Sequence, residues 1–296
     1  MSKQIITSLT MSFNNESETE WTTVIKPKGR LLDIDLKAVW RYRDLWYMFV
    51  KRDITTSYKQ TILGPLWFII QPAITTVMFM IVFGGIAHIS TDGLPQPLFY
   101  LAGISLWNYF SECLNRTSST FTNNAGIFGK VYFPRLVVPL ATISSSLIRL
   151  AIQLGLFLVV YLVYVVKGAA IHPNFTLLLF PVLLIIMAGL SLGFGILISS
   201  MTTKYRDLTL LFGFMVQLWM YATPVIYPLS MMSPHRQWIM ALNPLTSVIE
   251  IFKYSTLGVG VFSWGMLAYS FVFMLVILAL GIIVFNKVER SFMDTV

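Results

Sequence analysis

Apolar positions along this chain keep a regular spacing for one short stretch and then fuse into long blocks. Residues 1–33, which begin "MSKQIITSLTMSFNNESETE", have no apolar period and are expected to form a polar tail. Residues 34–60 are periodic. At the helical step of about 100° per residue, Ala38, Val39, Tyr42, Leu45, Trp46, Phe49 and Val50 share one arc, and Lys37, Arg41, Asp44 and Lys51 lie opposite. That pattern predicts an amphipathic helix suited to the headgroup layer of a membrane. From residue 61 to 296 the apolar runs are continuous, and six of them approach the roughly 20 residues that a helical crossing needs. They are Leu66–Ile86, Pro97–Cys113, a segment within Val137–Val166, Phe175–Ser200, Leu208–Tyr227 and Val261–Phe285. The expected fold is an all-α membrane protein with six transmembrane helices behind an interface helix.

The connection between the fifth and sixth runs carries prolines at 224, 228, 234 and 244. Ser233-Pro234 and Asn243-Pro244 each combine an N-capping residue with proline at the first helical position, where its missing N–H costs nothing. Gly258 suits a left-handed helix stop. Two short helices are predicted there, too broken to cross a bilayer.

Composition agrees with a membrane environment: 56% of residues are hydrophobic and 11% charged, against about 25% charged in soluble domains. Lysines and arginines number ten in residues 1–60, three in 114–136, two in 201–207 and two in 286–296. With six crossings these seventeen share one side, and only Lys167, Arg236 and Lys253 fall on the other. Positive charge marks the cytoplasmic side, so both termini are expected there. The net charge of +8 flanks apolar runs and forms no basic face, which argues against a nucleic-acid partner. One cysteine, Cys113, and three histidines leave no recognisable metal site. The N-terminal residues lack the apolar core of a cleaved signal peptide.

Two motifs resemble chemistry without completing it. "GIFGKV" (126–131) has two residues between its glycines where a phosphate loop has four, and Val131 stands where that loop needs Ser or Thr. Asp33 and Asp35 have the spacing of a metal-binding pair, but acidic residues at a helix start are expected from the helix dipole alone. Gly189 and Gly193 have small-residue spacing for close helix packing. Charges inside apolar runs are rarer and more telling. Glu112 has Arg116 as its i,i+4 neighbour. Arg149 has three options: the cytoplasmic headgroups, a wet channel, or Glu112.

In chain order come "KRDI" (51–54), "YKQTILGPLW" (58–67), "QP" (71–72), "GKVYFPRLVVPLA" (129–141), "YRDL" (205–208), "WMYATPVIYP" (219–228), "NPLT" (243–246) and "VERSFMD" (288–294). Their order and placement across residues 36–294 resemble the membrane (permease) subunit of type-2 ATP-binding-cassette exporters for polysaccharides. That group contains Wzm-like O-antigen permeases and the related capsule and teichoic-acid exporters. The resemblance implies a half-transporter that pairs with a second copy of itself in the plasma membrane. It also implies two copies of a separate nucleotide-binding ATPase subunit that holds ATP and Mg, with no cofactor on this chain. The implied substrate is a glycan on an undecaprenyl-type diphosphate lipid, moved outward.

The same resemblance assigns roles. Lys130, Tyr132, Phe133, Pro134 and Arg135, in the loop at 126–135, would couple to the ATPase. Lys59 and Gln60 would meet the lipid diphosphate at headgroup level, where Gly64 and Pro65 turn the chain into the first crossing. Pro72 would bend that crossing. Trp67, Phe68, Trp107, Tyr109, Phe110, Trp219 and Tyr221 would offer aromatic faces to a passing glycan. Pro234, Asn243 and Pro244 would form an outer gate. Competing readings are a drug or small-lipid exporter, an ion-coupled carrier that needs no ATPase, and a membrane glycosyltransferase using Asp33 and Asp35.

Overall fold

A computed structural model describes residues 36–59, 61–205 and 207–292, so the tail at 1–33, Asp35 and Gln60 lie outside the described residues. The regular structure of the described residues is entirely helical. In chain order it comprises α1 (Leu36–Arg41), α2 (Arg43–Tyr58), α3 (Trp67–Phe79), α4 (Gln96–Ser118), α5 (Thr120–Phe128), α6 (Val137–Val166), α7 (Phe180–Thr202), α8 (Leu208–Tyr221), α9 (Pro234–Ala241), α10 (Pro244–Leu257) and α11 (Trp264–Phe292).

Among the described residues, four segments are long and apolar enough to cross a membrane: Gly64–Ile86, Val137–Val166, Phe175–Thr202 and Trp264–Glu289. They match the first, third, fourth and sixth apolar runs to within a few residues. The second run differs. Its helix, α4, extends through Glu112 and Arg116 to Ser118 and is buried along most of its length, packed on α6 and α7. A helix enclosed by protein tolerates polar side chains that lipid would reject, because neighbouring helices supply their partners. The fifth run is also shorter than its apolar content suggests. Helix α8 stops at Tyr221, and Ala222–Tyr227 turns back towards α9. The Thr223-Pro224 pair explains the stop, since a proline disfavours helical geometry in the residue before it.

Helix α6 defines two ends of the bundle. Near its start Trp46 of α2 donates to Ser144 Oγ at 3.1 Å. Farther along, Phe157 meets Phe252 of α10 with ring centroids 5.9 Å apart. Helices α7 and α11 lie in close contact, because a Cβ on Gly193 would come within 2.8 Å of the Leu278 nitrogen.

The amphipathic segment is broken at Tyr42 into α1 and α2. Its apolar arc faces protein: Val39 and Phe49 are buried, and Tyr42, Leu45, Trp46 and Val50 pack beside them. The side left outward carries Trp40, Tyr47 and Met48. An apolar arc is satisfied by lipid or by protein, and periodicity does not distinguish them.

Candidate functional site

At the α2 end a chain of charges joins three helices and the base of α3. Asp53, from the "KRDI" stretch, is buried and takes Arg52 at 3.0 Å and Arg116 of α4 at 2.7 Å. Arg116 also donates to Ser145 Oγ at 3.2 Å and lies 3.7 Å from Glu112, one helical turn back. Glu112 pairs in turn with Arg149 of α6, whose guanidinium also donates to Ser57 Oγ. The ring of Phe68 lies against that guanidinium, 5.1 Å from its centroid. Arg149 therefore reaches Glu112, and it does so at the level where α2 gives way to the first apolar helix. Three arginines face two carboxylates, so the chain of pairs holds one surplus positive charge. Asp53 and its neighbour Arg52 are the members that sequence reasoning did not single out. The signal for Asp53 was "KRDI" itself, an acid set between apolar positions of an amphipathic helix.

The turn between this collar and α3 is built as its residues suggest. Gly64 has φ of 52°, which favours glycine, and Pro65 sits in the first turn of the Gly64–Leu66 segment. Lys59 is exposed, as are Ile62, Leu63, Leu66 and Trp67 just beyond it. Pro72 is buried within α3, and its carbonyl accepts from Thr76 Oγ1 at 2.8 Å.

The loop after α5 has two faces. Lys130, Val131 and Tyr132 point outward, Tyr132 with 60% exposure, and Pro134 is half-buried. Phe133 and Arg135 point inward. The Phe133 ring lies 5.8 Å from Phe49 of α2 and 5.7 Å from Phe128. Arg135 donates to the Glu289 carbonyl of α11 at 2.9 Å and covers Phe128 at 5.4 Å. Burial lowers the pKa of Arg135 from its usual value, with Glu289 acting in the opposite sense. The loop is thus keyed into both α2 and α11.

At the other end, Asn243 organises the two short helices. They begin at Pro234 and Pro244, and α10 ends at Gly258 with φ of 80°. Asn243 Oδ1 accepts from Leu245 N at 3.1 Å and from Trp219 Nε1 at 3.2 Å, while Nδ2 donates to Ala222 O and Thr223 Oγ1, both at 2.9 Å. One side chain thus caps α10 and holds the end of α8. Ser233 makes no such cap bond. Below Asn243, Glu250 and Lys253 of α10 are each 1% exposed. Lys253 Nζ donates to Pro224 O at 2.6 Å and stands 3.6 Å from the centroid of Phe99. Glu250 Oε2 accepts from Val261 N at 3.1 Å. Burial pushes the Lys253 ammonium down to about 8 and raises the Glu250 carboxyl, with each charge opposing the other's shift.

The aromatic candidates separate into two groups. Trp107, Tyr109 and Phe110 are core side chains of α4. Trp219 is partly buried, edge-on to Phe110 and Phe194 at 5.4 Å each. Trp67 and Tyr221 are about half exposed, and Phe68 is half-buried under Arg149. Burial decides this division: Trp107, Tyr109 and Phe110 have protein on all sides, and Trp67 and Tyr221 are open to a neighbour.

The profile of the ABC-2 type transporter family matches residues 44–257, well over half of the chain and including both ends just described. The chain belongs to this family. Among its relatives, an "O-antigen export system permease protein RfbA" of Myxococcus xanthus is 26% identical over 221 residues, covering 74% of this chain and 82% of the relative. A protein of the same description from Klebsiella pneumoniae is 23% identical over 252 residues, 85% of this chain and 94% of the relative. The "Polysialic acid transport protein KpsM" of Escherichia coli is 26% identical over 248 residues, 82% of this chain and 93% of the relative. As an ABC-2 transporter with several apolar helices, the protein is a multi-pass protein of the plasma membrane. The family match spans all of the Asp53–Arg116–Glu112–Arg149 chain, the loop after α5, and the Asn243 cap.

Proposed function

We propose that this ABC-2 permease exports a polysaccharide carried on an isoprenoid diphosphate lipid, with ATP hydrolysed by a separate subunit. The relatives named for O-antigen export support a lipopolysaccharide precursor as cargo. The relative named for polysialic acid transport favours a capsule glycan as the second reading. In this reading six helices cross the membrane, α4 and α8 completing the four most apolar ones, with both termini cytoplasmic. Two copies of the chain form one conduit, and the half-exposed Trp67 and Tyr221 face it. The α2 end lies at the cytoplasmic surface and the Asn243 cap closes the outer mouth.

The observation that carries the mechanism is the two-faced loop after α5. Lys130, Val131 and Tyr132 offer a basic, aromatic ridge for the ATPase to grip. Behind them Phe133 and Arg135 are fixed to α2 and α11. Closure of the ATPase around ATP then pushes the ridge, and the push reaches α2 and α11 together. Glycans present polar edges and apolar C–H faces, so aromatic walls let them slide without a deep binding pocket.

The test is co-purification of this permease with its candidate ATPase, followed by ATP hydrolysis with and without a lipid-linked glycan. Glycan-lipid-stimulated hydrolysis that is lost in a Lys130→Glu/Tyr132→Ala variant supports the reading. An isolated permease that conducts ions and retains no ATPase overturns it in favour of a stand-alone carrier.

A further inference from the structure

Arg149 is more than the partner of a half-buried carboxylate. Glu112 holds it from one side, Ser57 offers a hydroxyl, Phe68 covers its flat face, and its side chain keeps 14% exposure. This is the environment a phosphate group needs: a guanidinium for two oxygens, a hydroxyl beside it, and an aromatic plate that fixes the fork. Glu112 already supplies an anion at that position from within the protein.

A lipid phosphate could replace Glu112 only if the carboxylate were not left stranded, because an unpaired charge drawn out of water is costly. The structure provides the reserve partner. Arg116 sits 3.7 Å from the same Glu112 oxygen, one turn along α4. If Arg149 turns to a ligand, Glu112 stays paired with Arg116. Arg116 is in turn the residue that holds Asp53 of α2 at 2.7 Å. Occupation at Arg149 therefore shifts the partners of Arg116 and loosens its hold on α2.

Ligand chemistry follows from the neighbours. The collar has a surplus positive charge, and Lys59 adds another at its edge. The chain just beyond is an outward apolar tread of Ile62, Leu63, Leu66 and Trp67. Charge beside exposed apolar surface fits an anionic head on a hydrocarbon tail and fits a free anion poorly.

Resting on the export reading above, we propose that Arg149, with Ser57 and Phe68, is the receptor for the diphosphate headgroup of the lipid carrier. Glu112 occupies Arg149 until the lipid arrives and then passes to Arg116, which signals occupancy to α2 through Asp53.

The full chain in lipid nanodiscs is titrated with geranylgeranyl diphosphate, inorganic diphosphate and phosphatidylglycerol, and binding is read by native mass spectrometry. Glu112→Gln removes the internal competitor and should tighten geranylgeranyl diphosphate about tenfold. Arg149→Gln should weaken it at least tenfold. The double variant Glu112→Gln/Arg149→Gln strands no charge, so it stays folded and should bind as weakly as Arg149→Gln. A Glu112→Gln protein with unchanged affinity, or a double variant that binds like the parent, overturns the receptor. Equal binding of inorganic diphosphate, or of phosphatidylglycerol, also overturns it, because the site then serves a free anion or bulk lipid. If these variants bind as the parent does while ATPase-linked glycan export persists, this receptor alone falls. If export itself is absent, the reading beneath it falls as well.

Discussion

The two ends of this permease carry similar charges under opposite conditions. In the α2-end collar, Arg52, Arg116, Glu112 and Arg149 keep side-chain exposures between 14% and 42%, and each carboxylate has two arginines within 4.0 Å. In the α10-end cap, Glu250 and Lys253 are sealed, with backbone groups and an aromatic ring as their close partners. Shared, partly wet pairs exchange at little cost, because no ion is left alone during the change. Sealed ions exchange partners only at a high cost, because water cannot stand in during the change. Such contrast suits the proposed exporter, in which the α2 end would respond to cargo and the Asn243 end would stay shut.

The largest effect is expected from Lys253→Glu. It sets a second carboxylate beside the buried Glu250 and should destabilise the protein by at least about 3 kcal/mol, read as a lower melting temperature in detergent. Adding Glu250→Gln should return part of that loss, and a double variant as unstable as the single one would remove the account of two interacting buried charges. Next in size is the loop. Phe133→Ala empties a packed site and should cost about 3 kcal/mol, whereas Tyr132→Ala should stay within about 0.5 kcal/mol yet release the ATPase in pull-downs. Equal stability losses at the two positions would contradict the two-faced loop.

A smaller effect is expected from pH. The Lys253 pKa is lowered to about 8 from its usual 10.5, so between these values the unfolded chain binds more protons than the folded one. Stability therefore rises with pH across that window, by up to about 2 kcal/mol between pH 8 and 10. The rise is measured as the difference in melting temperature between the parent and the Lys253→Met/Glu250→Gln protein, and a flat difference would show that Lys253 is not desolvated. Smallest is Arg116→Gln, at about 1 kcal/mol because that side chain is 30% exposed and water screens its pairs. Its consequence should appear in function, as ATP hydrolysis that no longer responds to lipid-linked cargo.

The sequence reading reached some elements and stopped short of others for identifiable reasons. The helix start at Asn243-Pro244 and the stop at Gly258 were legible because capping depends on adjacent residues, and the start at Ser233-Pro234 was legible from its proline alone, since Ser233 makes no cap bond. The length of α8 was overestimated because hydropathy counts Ala222, Val225 and Ile226 as apolar without registering that Pro224 has already ended the helix. The pairing of Glu112 with Arg116 was legible as an i,i+4 contact. That of Asp53 with Arg116 was not, because those residues are 63 positions apart and meet only once α2 docks on the bundle. Phe133 and Arg135 could be placed in the loop, but the face each presents depends on α2 and α11.

Long apolar helices able to span a bilayer, and the places where local chemistry starts, turns and stops several of them, can be read from the chain alone. Those properties belong to single residues and their immediate neighbours, since an unpaired backbone cannot persist in hydrocarbon. Only the tertiary structure decided which way each helix faces about its own axis. It buried Trp107, Tyr109 and Phe110, left Trp67 and Tyr221 open, joined Arg149 to Glu112, and sealed Lys253 under the cap. Rotation about a helix axis is set by the surfaces that pack against it, and lipid and protein reward an apolar side chain alike.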